Sequence, residues 1–293
     1  MALIQGFSKS LKWLLGSALV LVFFLQGTGL INLSLLTSLE GNAADLRLTS
    51  TLKGGIDPRI VIVDIDEKSL EKYGQWPWNR HYLAQLVNTL FDHYHIRVLG
   101  SDIVFAEPAG IDFLPIEKEL KVRSDVSSTV KKALAFEALQ DEALARALTD
   151  RAVTLGIFFN QAIASKLNTL PKSITQLEDE THQALSLPKP LGYTANLDRF
   201  NQASPRSGFF DNPVVDLDGR FRRVPLFQSY QGQLFPSLAL SVAQQALGNP
   251  EIDIQLVAQG DFLAITAIQL GHRVIATDQS GAVQIPFRGP EGS

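Results

Sequence analysis

The residues best placed to do chemistry begin at Ile60. IVIVDIDEKSLEKYGQWPWNR runs from four β-branched residues into Asp64-Ile65-Asp66, then to Trp76-Pro77-Trp78 and Arg80. Asp64 and Asp66 are two residues apart on or just past a strand, so they share a face. Asp102 lies late in a second apolar run, Ile96 to Phe105, and Glu107 follows it. In open α/β sheets, ligands bind outside the carboxyl ends of the strands. Four carboxylates at two such ends could hold Mg²⁺, which takes oxygen ligands and keeps several waters. That would be phosphoryl-transfer chemistry. The rival reading is architectural. Asp66 then caps the helix after it, and Asp64 or Asp66 pairs with Arg80, whose fork satisfies both oxygens of a carboxylate. The Trp-Pro-Trp corner covers the strand end, or else forms one wall of a ligand pocket.

The strand-Asp-x-Asp pattern resembles the nucleophile motif of the haloacid dehalogenase superfamily. That resemblance implies a threonine-type residue soon afterwards, a distant lysine and a late acidic pair. Position 68 is Lys, and no adjacent Asp-Asp pair occurs later. A membrane-anchored, Mg-dependent phosphatase-like hydrolase therefore stands only as the alternative function. Asp216-x-Asp218-Gly219 faintly suggests a calcium loop, but the first and twelfth positions would be Val214 and Pro225, where carboxylates are required. His93 and His95 do not share a helical face, and His182 and His272 are remote, so a zinc site is not expected. Neither G-x-S-x-G nor a P-loop occurs. No cofactor and no catalytic residue is implied.

The elements that must position these side chains read as α/β. Ile60 to Ile65 is expected to be a strand buried on both faces. Asn79 is a good N-cap for a helix whose stripe is Leu83, Leu86, Val87, Leu90 and Phe91. With Ile96 to Phe105 this makes a βαβ unit of two parallel strands. Residues 106–130 read as an excursion. Leu134 to Asp150 is a helix with its stripe at Leu134, Leu139, Ala143, Leu144, Ala147 and Leu148, and Ala152 to Phe159 is a third strand. Residues 160–203 are polar and carry three prolines. Asp218-Gly219 is a hairpin turn between Val214-Val215 and Phe221 to Val224, Phe235 to Gly248 is a helix, and Phe262 to Thr266, Val274 to Ala276 and Val283 to Phe287 are short strands. The fold class is α/β, with a mixed, partly parallel sheet and flanking helices.

Formal net charge is −4, with no long basic run, which argues against nucleic acid as a partner. The chain has no cysteine, so disulfides, thiolate metal sites and cysteine nucleophiles are excluded. Lys9 and Lys12 precede an uncharged run, Trp13 to Leu33, long enough to cross a bilayer. The positive-inside rule places residues 1–12 in the cytoplasm and everything after residue 33 outside. A cleaved signal peptide with its core at Leu14 to Leu25 is the rival, but no small-x-small site follows closely. The expected organisation is a tail (1–12), a transmembrane helix (13–33), a juxtamembrane linker (34–56) and an extracytoplasmic domain (57–293), in the inner membrane.

Several stretches together resemble the CHASE2 family of extracytoplasmic sensor domains in bacterial signalling receptors. They are DPRIVIVDIDEKSLEKYGQWPWNR, VLGSDIVFAEP, DEALARAL, SGFFDNPVVDLDGRFRRVPL, FPSLALSVAQQALG and IPFRGP, spanning residues 57 to 290. The resemblance implies a non-enzymatic sensor with an unknown extracytoplasmic ligand, and a homodimer through receptor architecture. It implies a chain lacking its later membrane helices and effector, which could be a nucleotide or diguanylate cyclase or a kinase. A non-signalling binding or scaffold domain is the further alternative. Candidate ligand contacts are Asp64, Asp66, Trp76, Trp78, Arg80, Asp102 and Glu107.

Overall fold

Residues 2–27, 33–52, 54–55, 57–109, 139–216, 218–260, 262–287 and 289 are described by a computed structural model. The described chain divides into two units, one drawn from 1–60, 215–220 and 286–293, the other from 61–214 and 221–285.

The first unit contains helices α1 (Ala2–Gly27) and α2 (Ser34–Thr51). Among the described residues, no helix is long and apolar enough to cross a membrane. Residues 28–32 of the expected span lie outside the described residues. Asp216 and Arg220 close a turn, in which the Asp216 amide donates to the Arg220 carbonyl and the Gly219 amide to the Asp216 carbonyl. Gly219 has φ +78°, a conformation that glycine adopts without steric cost. The guanidinium of Arg220 then pairs with Asp45 of α2. The expected hairpin is not formed around this turn, because Val214 and Val215 are not in a strand.

The second unit is mixed α/β. Its spine is β2 (Val153–Asn160), flanked in parallel by β1 (Leu99–Ser101) and β6 (Ser207–Phe209). The far end of β2 pairs antiparallel with β5 (Gly192–Thr194), beside which runs β3 (Lys166–Leu167). Further antiparallel groups follow. These are β4 (Thr175–Gln176) with the hairpin β8 (Phe227–Tyr230) and β9 (Gln233–Pro236); β7 (Arg223–Pro225) with β13 (Ala282–Gln284); and the meander β10 (Ile252–Gln259), β11 (Phe262–Leu270) and β12 (Arg273–Ala276). Residues 153–157 are all buried, as expected of a strand covered on both faces.

The helices are α3 (Glu67–Tyr73), α4 (Arg80–Asn88), α5 (139–148), α6 (Asp179–Ala184), α7 (Asp198–Ala203) and α8 (Leu238–Ala246). Asn79 caps α4 by accepting the His81 amide, and α4 continues into a π-helical turn at Thr89–His93. Leu83, Ala84 and Val87 of α4 meet Leu144 and Leu148 of α5 together with Phe105, Val153, Leu155 and Phe200 in one core. Leu139, expected on the α5 stripe, is exposed, and the start of that predicted helix (134–138) lies outside the described residues. Ser237 accepts the Leu240 amide and so starts α8 three residues later than expected. Phe235 and Pro236 are used by β9 instead, where antiparallel pairing to β8 outweighs helical periodicity. Two further cores surround Phe227, Leu234 and Ile268, and Phe159, Phe209 and Tyr230.

The largest departure concerns Ile60 to Ile65. This stretch belongs to no strand, and Ile60, Val61, Ile62 and Val63 are 68, 79, 87 and 51% exposed. The second expected strand shrinks to Leu99–Ser101, and its parallel partner is β2 rather than residues 60–65. β-propensity favours a pleated backbone but names no partner.

Candidate functional site

The seven candidate residues separate into three groups. Asp64 is exposed in the unpaired segment. Asp66 caps α3, accepting from both the amide and the hydroxyl of Ser69 at 2.9 and 2.6 Å. The Ser69 hydroxyl, then its amide, hold this carboxyl below its usual range. Asp102, just after β1, is exposed. Among the described residues, no three His, Asp or Glu side chains come together as a metal ion would require, so these carboxylates are not assembled as the hydrolase alternative needs.

The second group is the Trp-Pro-Trp corner, which has a cis bond at Trp76-Pro77. The Trp78 indole N–H donates to the Gly74 carbonyl at 2.8 Å, and its ring packs against the α4–α5 core. Tyr73 lies edge-on to Trp78 with centroids 5.4 Å apart, Tyr82 lies 5.6 Å from Tyr73, and Trp76 lies 5.9 Å from Trp78. Tyr73, Trp76 and Tyr82 are exposed. One tryptophan therefore anchors the corner, while three aromatic rings face solvent beside it. Such rings offer amphipathic contact area at low conformational-entropy cost.

The third group is centred on Arg80. Its expected partner was Asp64 or Asp66, and this is corrected. The guanidinium lies against Asp141 of α5, Nε to Oδ1 3.5 Å, with side-chain exposures of 13% and 2%. Arg199 reaches the other oxygen of the same carboxylate at 3.7 Å, and the Ala109 amide lies 3.2 Å from each oxygen. Arg80 also donates to the backbone carbonyl of Glu107 at 3.2 Å and stacks 4.6 Å over the Phe105 ring. The Glu107 side chain itself is exposed. Burial lowers the Arg80 pKa, and Asp141 offsets part of that effect. Asp66 is unsuited as a partner because Ser69 occupies it. Asp141 was legible in outline, since it shares the α5 face with Leu144, Ala145 and Leu148, and an acid on an apolar stripe needs a buried cation.

The arrangement joins the segment after β1, the start of α4 and the start of α5 through one buried carboxylate. It holds those backbones in place. Comparison with curated proteins gives no match, and neither does comparison with solved structures. The family model for the CHASE2 domain matches residues 17–293. The match covers nearly the whole chain, including the Asp-x-Asp segment, the Trp-Pro-Trp corner and Arg80, and the chain belongs to the CHASE2 domain family, a family of extracellular sensory domains.

Proposed function

We propose that this chain is the extracytoplasmic input region of a bacterial membrane receptor, anchored through residues 13–33 and passing a signal to a cytoplasmic effector. The family supports the sensory role, and the observation that carries the anchor is the surface of α1. Trp13, Leu14, Leu15, Leu19, Val20, Leu21, Phe23 and Phe24 are all exposed on it. Removing each such side chain from water is worth ~1.5–3 kcal/mol. The stretch from Trp13 to Phe24 carries no charge, an apolar helical surface of this kind belongs in a core or a bilayer, and Lys9 and Lys12 before it orient it with residues 1–12 in the cytoplasm. The exposed aromatic corner of Tyr73, Trp76 and Tyr82 is the candidate sensing face. A sensor works by binding its ligand more tightly in one of two conformations, so an exposed face beside a rigid anchor suits the role.

An alkaline phosphatase fusion after residue 60 should be active, and a reporter that works only in the cytoplasm should be inactive at the same position. The reverse pattern would overturn the topology.

A further inference from the structure

The chain from Val61 to Ile65 is apolar except at Asp64, and Val61 and Ile62 are among its most exposed hydrophobic residues. Among the described residues, it is paired with no strand. Among the described residues of the same unit, β1 is paired on one side only, with β2. Among the described residues, the unit therefore contains an unpaired edge and an unpaired extended run of high β-propensity. Residues 66–98 connect the two and contain α3 and α4. A parallel pairing needs a crossover of a dozen or more residues, usually helical, and this one meets that requirement. Val61, Val63 and Ile65 would point to one face, and Ile62 and Asp64 to the other, so the apolar face is the one to be covered.

We propose that Val61–Ile65 is a reversible strand that docks parallel to the open edge of β1, this structure being its undocked state. A second copy could in principle supply the strand, but the intrachain crossover already has the required length and helical content. Docking alters the free chain ahead of α3. Undocked, the unpaired chain ahead of α3 includes Val61–Ile65 and runs up to Asp66, the cap of α3. Five further residues of extended chain add roughly 17 Å of reach. Docking would thus set the length of free chain ahead of α3, and this holds whether or not the chain is a sensor.

Amide hydrogen exchange on the whole 293-residue chain in detergent micelles tests the device. The amides of Val61–Ile65 should exchange at least about tenfold slower than an unstructured chain but faster than those of β2. Ile62→Pro removes an amide from the docked strand and should abolish the protection, leaving β2 unchanged. Should β2 also be affected, Val63→Asp decides, because it keeps the amide and charges the apolar docked face. Full exposure in the wild-type chain means that the strand never docks, and protection equal to that of β2 means that it never leaves. Either result overturns the proposal. So does protection that survives both substitutions, or protection that rises with protein concentration, which would mean pairing with a second copy.

Discussion

Arg80 and Asp141 meet across the junction of α4 and α5, Nε to Oδ1 at 3.5 Å, both largely withdrawn from water. The carboxylate is shared with Arg199 and the Ala109 amide, and the guanidinium is shared with the Glu107 carbonyl and the Phe105 ring. An arginine that opens a helix faces the positive end of its dipole. What holds Arg80 there is the buried carboxylate of the neighbouring helix.

Breaking one side of a buried pair leaves an uncompensated charge, which costs roughly 3–5 kcal/mol. Arg80→Ala should cost about 3 kcal/mol, at the lower end of that range because Arg199 still reaches Asp141. In an Asp141→Asn background the same substitution should cost clearly less, since the two sites share one interaction. Asp64→Asn, on an exposed side chain, should change stability by no more than about 0.5 kcal/mol. Urea unfolding of the four members of the cycle checks this. Equal costs of Arg80→Ala in both backgrounds would show that the pair is not coupled.

How much of this was legible in sequence depends on the range of the interaction. The stripe of α4, the Asn79 cap and the apolar run of β2 are local patterns, and each appears close to where it was expected. Residues 160–203 carried no such pattern, yet they supply Asn196, a fully buried side chain that takes the Phe105 amide at 2.7 Å and donates to the Gly156 carbonyl at 2.9 Å. Those partners lie far away in the chain, and a single polar residue leaves no periodic trace. Asp141 did leave a trace, an acid on the α5 apolar stripe, but nothing in that stripe names Arg80 as its partner over the nearer Asp64 and Asp66. The β-branched run at Ile60 has the opposite character, a strong local signal with no partner strand among the described residues.

Gly208 tests the packing of β6 beneath α8. It faces Gly156 across the parallel ladder, and a Cβ placed there would lie 2.6 Å from both the Leu238 nitrogen and its Cα, and 2.7 Å from the Ser237 carbonyl carbon. These are backbone atoms at the capped start of α8, which cannot swing aside as a side chain would. Gly208→Ala should therefore destabilise by about 1–3 kcal/mol, the usual cost of overpacking. Gly248→Ala, where nothing lies within 4 Å but φ is +87°, isolates backbone strain as the comparison. A Gly208→Ala protein as stable as wild type in thermal unfolding would refute the close approach.

Two partly buried aspartates should give stability opposite dependences on pH. Burial raises the Asp211 carboxyl above its ordinary 3.8, although Gln228 and the Phe159 amide donate to it. The folded state thus holds this proton more tightly than the unfolded chain does. Its contribution to stability is fully present below 3.8 and is lost as pH rises through the folded value. At Asp278 burial also opposes the charge, but it is outweighed by the Ser280 hydroxyl, the Ala282 amide, Arg223 and the Ser280 amide, so the carboxyl is held below 3.8. That contribution is present above 3.8 and is lost as pH falls through the folded value. Urea midpoints measured from about pH 3 to about pH 7 read both limbs. Asp211→Asn keeps an acceptor for the Phe159 amide and should remove a decline in stability on the rising side. Asp278→Asn should lower stability at neutral pH by about 1–2 kcal/mol, because it loses charge-assisted hydrogen bonds, and should flatten the acid limb. If both variants shift the profile in the same direction, the contrast between the two environments is wrong.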